Sequence, residues 1–302
     1  MKNGRFWHGF PCAILLFLCC PVFLAAAAGR IECKSLPSKV LAHPVNYCVV
    51  LPPSYDSYKT QKYPVLYFFH GLGDNEQMFV HGGAFNLVQD LWERKQIGEF
   101  LIVTPEAGAT FYINSHSGKV RYEDFLVQEF FPGIEARYRI SPGRSNRGVS
   151  GVSMGGYGAL HIAFRHPELF AAVSAQSPAL MTESPRELNA DLHDAGPLAK
   201  LLGNVFGNPI NVAHWNQNNP FLLARKGQAQ IRTQAIYINC GQQDEYGFAA
   251  SAEQMHKQLV AEKVPHEFHL YPGGHNAEYF LSHLGETIEF HWRAFPESRQ
   301  KR

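Results

Sequence analysis

Short apolar runs alternate with stretches of helical periodicity along most of the chain. Val65-Leu66-Tyr67-Phe68-Phe69 is continuously apolar, the pattern of a strand covered on both faces. It predicts a strand over Pro64–His70. Similar runs predict strands at Asn46–Leu51, Phe100–Thr104, Arg147–Val152, Phe170–Gln176, Gln234–Asn239 and His266–Tyr271. Phe125, Leu126, Phe130 and Ile134 recur at helical spacing and predict a helix over Asp124–Arg137. Pro132 has no N–H and crowds the preceding turn, so a kink or break is expected there. Further helices are expected over Met154–Arg165, stopped by Pro167, and over Gly285–Phe295. Strand, loop and helix in repetition indicate an α/β fold: a mostly parallel central sheet with helices on both faces.

Two segments depart from that rhythm. Residues 181–230 are rich in Asn, Pro and Gly and hold short helical stretches such as Leu198–Leu202. They read as an insertion packed over the sheet, within one domain spanning residues 30–302. At the N-terminus, Lys2 and Arg5 precede an apolar run from Phe10 to Ala28, which ends in small residues before Gly29. Charge, apolar run and small residues, in that order, predict an export signal over residues 1–29 and a secreted or periplasmic mature protein. The alternative is an uncleaved membrane anchor, since the run of 19 residues is close to the ~20 that span a bilayer. Pro21 and the alanine cluster favour cleavage. Cys19 and Cys20 follow Leu18 and Cys19, not the small residue that a lipid-modified cysteine requires.

Composition narrows the class. Apolar residues make up 45% of the 302-residue chain and charged residues 18%, enough to bury a core and unlike a disordered protein. The net charge is +1 with no run of one sign, so no basic face for nucleic acid is visible. Of six cysteines, Cys12, Cys19 and Cys20 lie in the expected signal. Cys33, Cys48 and Cys240 remain, with no Cys-x-x-Cys pair to suggest a zinc site. An odd count allows at most one bridge among them. Arg30–Lys34 reads as a strand antiparallel to Asn46–Leu51. If Cys33 faces Cys48, then Ile31 faces Val50 on the same sheet face, so the register is self-consistent. A Cys33–Cys48 disulfide is therefore expected, with Cys240 reduced at the end of a central strand. The alternative is three unpaired thiols.

The chemistry concentrates at Gly151-Val152-Ser153-Met154-Gly155-Gly156, a Gly-x-Ser-x-Gly sequence between an expected strand and an expected helix. A serine displayed on so sharp a turn leaves no room for side chains two residues before and after it. The helix that follows aims its N-terminal N–H groups at the reaction centre, where negative charge develops. Ser150 and Ser174 lack the flanking glycines.

A serine hydroxyl needs an imidazole to take its proton and a carboxylate to hold that imidazole. In this kind of fold the acid and then the histidine follow the serine in the chain, on loops after strands. Tyr271-Pro272-Gly273-Gly274-His275 follows the last expected strand, and its tight turn can set His275 beside Ser153. His266, His269, His283 and His291 read as packing or surface residues. Gly241-Gln242-Gln243-Asp244-Glu245 follows the preceding strand; Asp244 is the favoured acid and Glu245 its competitor. His70-Gly71-Leu72-Gly73 ends the VLYFF strand, where a second oxyanion donor belongs. The backbone N–H groups of Leu72 and Met154 are the expected donors, with the Leu72 side chain in packing and His70 bonded to nearby backbone. The chemistry requires no metal and no organic cofactor.

These stretches, with LPPSYD, FYINS, the run GVSMGGYGAL and FRHPELFAAVSAQSPAL, resemble the esterase D-type branch of the α/β hydrolases from Leu51 to His275. That branch includes feruloyl, acetylxylan and tributyrin esterases, S-formylglutathione hydrolases and mycolyltransferases. The resemblance implies the α/β-hydrolase fold and a triad of Ser153, Asp244 and His275. It also implies that Tyr112 and Asn114 border the substrate pocket. The expected function is hydrolysis of short-chain or aryl carboxylic esters, small or polysaccharide-linked, through an acyl-Ser153 intermediate. An acyltransferase on the same triad is the near alternative, and a non-catalytic binding protein on this scaffold the distant one.

Overall fold

The computed structural model describes residue 1, residues 28–191 and residues 196–296. Most of the expected signal, residues 2–27, therefore lies outside the described residues. Among those described, no helix is long and apolar enough to cross a membrane.

Eight strands form one sheet: β1 (Arg30–Leu36), β2 (Val45–Leu51), β3 (Val65–Phe69), β4 (Leu101–Pro105), β5 (Arg147–Val152), β6 (Ala172–Gln176), β7 (Ala235–Gly241) and β8 (Glu267–Tyr271). Their order is β1-β2-β4-β3-β5-β6-β7-β8. β2 runs antiparallel to both β1 and β4, and every pairing from β4 through β8 is parallel. The strand expected over Arg147–Val152 keeps its ends; the others shift by one or two residues.

Alternation along each strand divides the core into two layers. Val65, Tyr67 and Phe69 of β3 face one layer, with Phe125, Ile134, Leu160 and Leu259 from the covering helices. Leu66 and Phe68 face the other, with Val88 and Trp92 of helix Ala84–Glu93 and Ile288 of helix Leu284–Ala294. A strand covered on both sides has no solvent face, which is why VLYFF shows no polar alternation.

The helix expected over Asp124–Arg137 starts at Tyr122 and changes pitch. It is α-helical over Tyr122–Phe125, opens into a wide π turn over Leu126–Phe130, and is α-helical again over Phe131–Arg137. Phe131 N–H reaches back five residues to Leu126 O. Pro132 has no N–H to contribute, and the widened turn before it carries the chain past without ending the helix.

Residues 181–230 hold helices Pro185–Asp191, Gly196–Phe206, Val212–Asn218 and Pro220–Lys226. Two asparagines in this stretch cap helices: Asn211 accepts from His214 N–H and Asn219 from Phe221 N–H. Phe206 and Trp215 pack into the core layer that holds Phe111 and Tyr157.

β1 and β2 pair with Cys33 opposite Cys48 and Ile31 opposite Val50. A disulfide joins the two cysteines, and Cys240 is a buried free thiol. Peptide mapping of unreduced protein is expected to recover residues 33 and 48 in one linked pair and Cys240 as a thiol. Cys33→Ser is expected to lower the unfolding free energy by about 3 kcal/mol, the value for closing a loop of this length. Recovery of Cys33 and Cys48 as free thiols would overturn the bridge.

Candidate active site

The turn after β5 has backbone that few residues adopt. Ser153 sits at φ 54°, ψ −118°, outside the regions open to ordinary L-residues. What holds it there is the close approach of strand and helix. A Cβ on Gly151 would overlap Gly155 O, and one on Gly155 would overlap Phe69 O. A Cβ on Gly156 would stand 3.0 Å from Pro178 Cα. The glycines of the motif are therefore steric requirements of the turn. Ser153 O accepts from Tyr157 N–H and Ala179 N–H, and Ser153 N–H donates to Gln176 O at 2.9 Å. These bonds fix the serine from both sides.

His275 reaches this serine from the far end of the chain. Its Nε2 lies 2.9 Å from Ser153 Oγ, and its Nδ1 lies 2.7 Å from Asp244 Oδ2. The Asp244 side chain has no exposed surface. Its Oδ1 accepts from Tyr246 N–H at 3.1 Å and Phe248 N–H at 3.4 Å. Burial pushes the Asp244 carboxyl upward, but the hydrogen bond and charge of His275 and the two N–H groups outweigh it, so its pKa falls. The carboxylate is thus ionised at neutral pH and faces the imidazole.

Glu245 serves a different part of the same histidine. Its Oε2 accepts from the His275 backbone N–H at 2.7 Å, which holds its pKa below the usual value. Gln243 adds a second tie: its Oε1 accepts from Gly273 N–H at 2.7 Å and its N–H donates to Gly273 O at 2.9 Å. The loop after β7 therefore grips the loop after β8 along its backbone. A Cβ on Gly274 would overlap Glu245 Oε1, so the grip depends on the glycine turn.

The loop after β3 closes the other side. A Cβ on Gly71 would lie 3.5 Å from Ser153 Cβ, so this loop passes directly beside Ser153. Among the described residues Leu72 N–H makes no backbone hydrogen bond, and Met154 opens its helix with an N–H that has no partner one turn back. The Leu72 side chain, expected in packing, is instead in solvent, 52% exposed. His70 is buried. Its Nε2 accepts from Ala107 N–H at 3.0 Å, which leaves the proton on Nδ1 to donate to Gly71 O at 2.8 Å.

Of Tyr112 and Asn114, both expected to border the substrate pocket, the first has no exposed side-chain surface. Tyr112 is fully buried, stacks on Phe69 at 4.1 Å and donates its hydroxyl to His70 O. Its ring supports the loop from beneath and offers no surface to a substrate. Asn114 is half-buried and its Oδ1 accepts from Asp124 N–H at 3.1 Å, at the start of the next helix.

Several neighbours carried no sequence signal. Tyr246, Phe248 and Phe280 surround the His275 ring, with centroids 4.9–5.3 Å away. Cys240 Sγ lies 3.6 Å from Asp244 Oδ2, and burial pushes this thiol up to about 12. Glu123 is a buried carboxylate packed against helix Met154–Arg165. It bonds His161 and His166 and pairs with Arg165, and these partners hold its pKa low against the cost of burial.

The other serines are committed elsewhere. Ser174 Oγ donates to Ser150 Oγ at 2.7 Å and lies 2.8 Å from His291 Nε2, all three fully buried under the sheet. Burial pushes His291 down to about 3, so it stays neutral at ordinary pH. Among the described residues no group of three or more His, Cys, Asp or Glu side chains could hold a metal ion.

Comparison with known proteins adds a family. The family described as "Putative esterase" matches residues 38–290. Esterase Rv1288 of Mycobacterium tuberculosis is 31% identical over 249 residues, covering 75% of this chain and 51% of that protein. The chain thus spans about half the length of this curated relative. Among solved structures, a ferulic acid esterase superposes with a TM-score of 0.75 at 28% identity, over 89% of this chain and 99% of its own. The fluorophosphonate-binding serine hydrolase F of Staphylococcus aureus superposes with a TM-score of 0.72 at 20% identity, over 87% and 98%. At that identity the second likeness speaks to fold alone.

Proposed function

The chain belongs to the "Putative esterase" family and has the α/β-hydrolase fold, and from that premise we propose that it is a serine carboxylic-ester hydrolase. The observation that carries the proposal is the unbroken hydrogen-bond series Ser153–His275–Asp244 at a strained strand-to-helix turn. In this reading Ser153 Oγ attacks the ester carbonyl carbon while His275 Nε2 takes its proton. The imidazolium forms against the ionised Asp244. The carbonyl oxygen, now an anion, is held by Leu72 N–H and Met154 N–H. As the C–O bond to the alcohol breaks, His275 returns the proton to the leaving oxygen. The acyl-Ser153 left behind is resolved by water, with His275 as base again.

Residues 30–302 act as one catalytic domain in this proposal, and residues 1–29 as an export signal. The Cys33–Cys48 bridge supports export, because disulfides persist outside the reducing cytoplasm. The expected substrate range is small or polysaccharide-linked aryl and short-chain esters, and the ferulic acid esterase likeness supports its aryl part. Nitrophenyl esters, methyl ferulate and acetylated xylan test the proposal, each assayed with and without added alcohol. Free acid as the main product supports a hydrolase. A transferred ester as the main product makes the protein an acyltransferase, and no turnover of any ester removes the proposal.

A further inference from the structure

A cavity of about 200 Å³ opens beside the triad, on the side of the sheet away from helix Met154–Arg165. Its floor is built by Phe68, Ala84 and Leu284, all buried. Met78 and Leu281, half-buried, make its walls. Its lining includes neighbours of Ser153 and of His275. Val152 lines it, and Ser153 is the next residue. Phe280 lines it and sets its ring edge-on to His275, with centroids 5.1 Å apart. The loop that carries Leu72 N–H runs on to Asp74 at the exposed rim.

The floor has no group to hydrogen-bond an occupant. Gln176 is the deep polar residue of the lining, and its Nε2 is engaged with Phe280 O at 3.3 Å. Its Oε1 has no accessible surface and is sealed from the cavity. A hydroxyl or charge carried to the floor would lose its water with nothing in exchange. A saturated chain would lose only unfavourable contact with water.

We propose that this cavity is the acyl-chain pocket and that it takes an unbranched aliphatic acyl group longer than acetyl. The proposal rests on the reading of Ser153 as the acylated nucleophile. An acyl group on Ser153 Oγ, with its carbonyl oxygen at Leu72 and Met154, projects its chain between the Leu72 loop and the His275 ring, where the cavity opens. Each methylene that leaves water for these walls raises kcat/KM about fourfold until the cavity is full. Met78 and Ala84 set its width and depth.

The test is a series of nitrophenyl esters from acetyl through butanoyl and hexanoyl to octanoyl, with a 4-hydroxycinnamoyl ester beside them. Wild-type kcat/KM is expected to climb with chain length. Ala84→Phe fills the floor and is expected to lower the hexanoyl-to-acetyl ratio by about tenfold or more. Met78→Ala widens the wall and moves the optimum to longer chains, which keeps the test decisive if Ala84→Phe does not fold. A decline from acetyl onward, a hydroxycinnamoyl ester preferred over every aliphatic one, or ratios untouched by the variants overturns the pocket. Failure of the underlying reading looks different: Ser153→Ala would then keep its activity on the whole series.

Discussion

Ser153→Ala is expected to abolish ester turnover, with a loss of about 10⁴-fold or more in kcat, while circular dichroism and melting show a folded protein. The size follows from what the hydroxyl does. In the proposed mechanism its oxygen becomes bonded to the acyl group, and the neighbouring serine hydroxyls are placed where they cannot replace it. Ser150 and Ser174 are buried and bonded to each other, and Ser174 is bonded in turn to His291. Ser177 lies at the end of β6, bonded to Cys240 Sγ at 3.3 Å, and is buried as well. The residual rate is expected to come from water attack on the ester carbonyl carbon while Leu72 N–H and Met154 N–H hold its oxygen. The backbone should survive the change, because the turn is held by Gly151 and Gly155 and by main-chain bonds of residue 153 that alanine keeps. A variant with a tenth of wild-type turnover would remove Ser153 from the mechanism.

How far this site was legible in sequence depends on which constraint each residue obeys. Gly151 and Gly155 were legible because backbone stands where their Cβ atoms would be, and only glycine meets that requirement. His275 was legible through its Pro-Gly-Gly turn. Tyr112 was assigned to the pocket only through the resemblance, whereas stacking on Phe69 and a bond to His70 O draw its side chain inside. Helices Ala84–Glu93 and Phe248–Ala261 gave no start signal, since Gly83 and Gly247 in left-handed backbone precede them in place of a capping side chain. The cavity was not legible at all. Residues 68–84 and 277–284 make it together with Val152 and Gln176, and nothing local in any of these stretches refers to the others.

Asp244→Asn is expected to lower kcat/KM by several orders of magnitude, and Glu245→Gln by no more than a few fold. Sequence left these neighbours as competitors; their partners separate them. Asp244 Oδ2 meets the His275 ring, whose Nδ1 proton it accepts. An asparagine there can present its amide N–H₂ to Nδ1, which favours the tautomer with the proton on Nε2, facing Ser153. That imidazole cannot take the serine proton, and the charged form has lost its counter-ion. The loop itself should hold, since the asparagine oxygen can still accept from Tyr246 and Phe248 N–H. Glu245 Oε2 meets only the backbone N–H of His275, and a glutamine carbonyl accepts that bond as well. Glu245→Ala, which removes the acceptor, is expected to cost about tenfold, mostly by loosening the loop that positions the imidazole. Steady-state kinetics on one ester for all three variants decides the matter. If Glu245→Gln loses orders of magnitude while Asp244→Asn loses a few fold, the anion that orients His275 is Glu245.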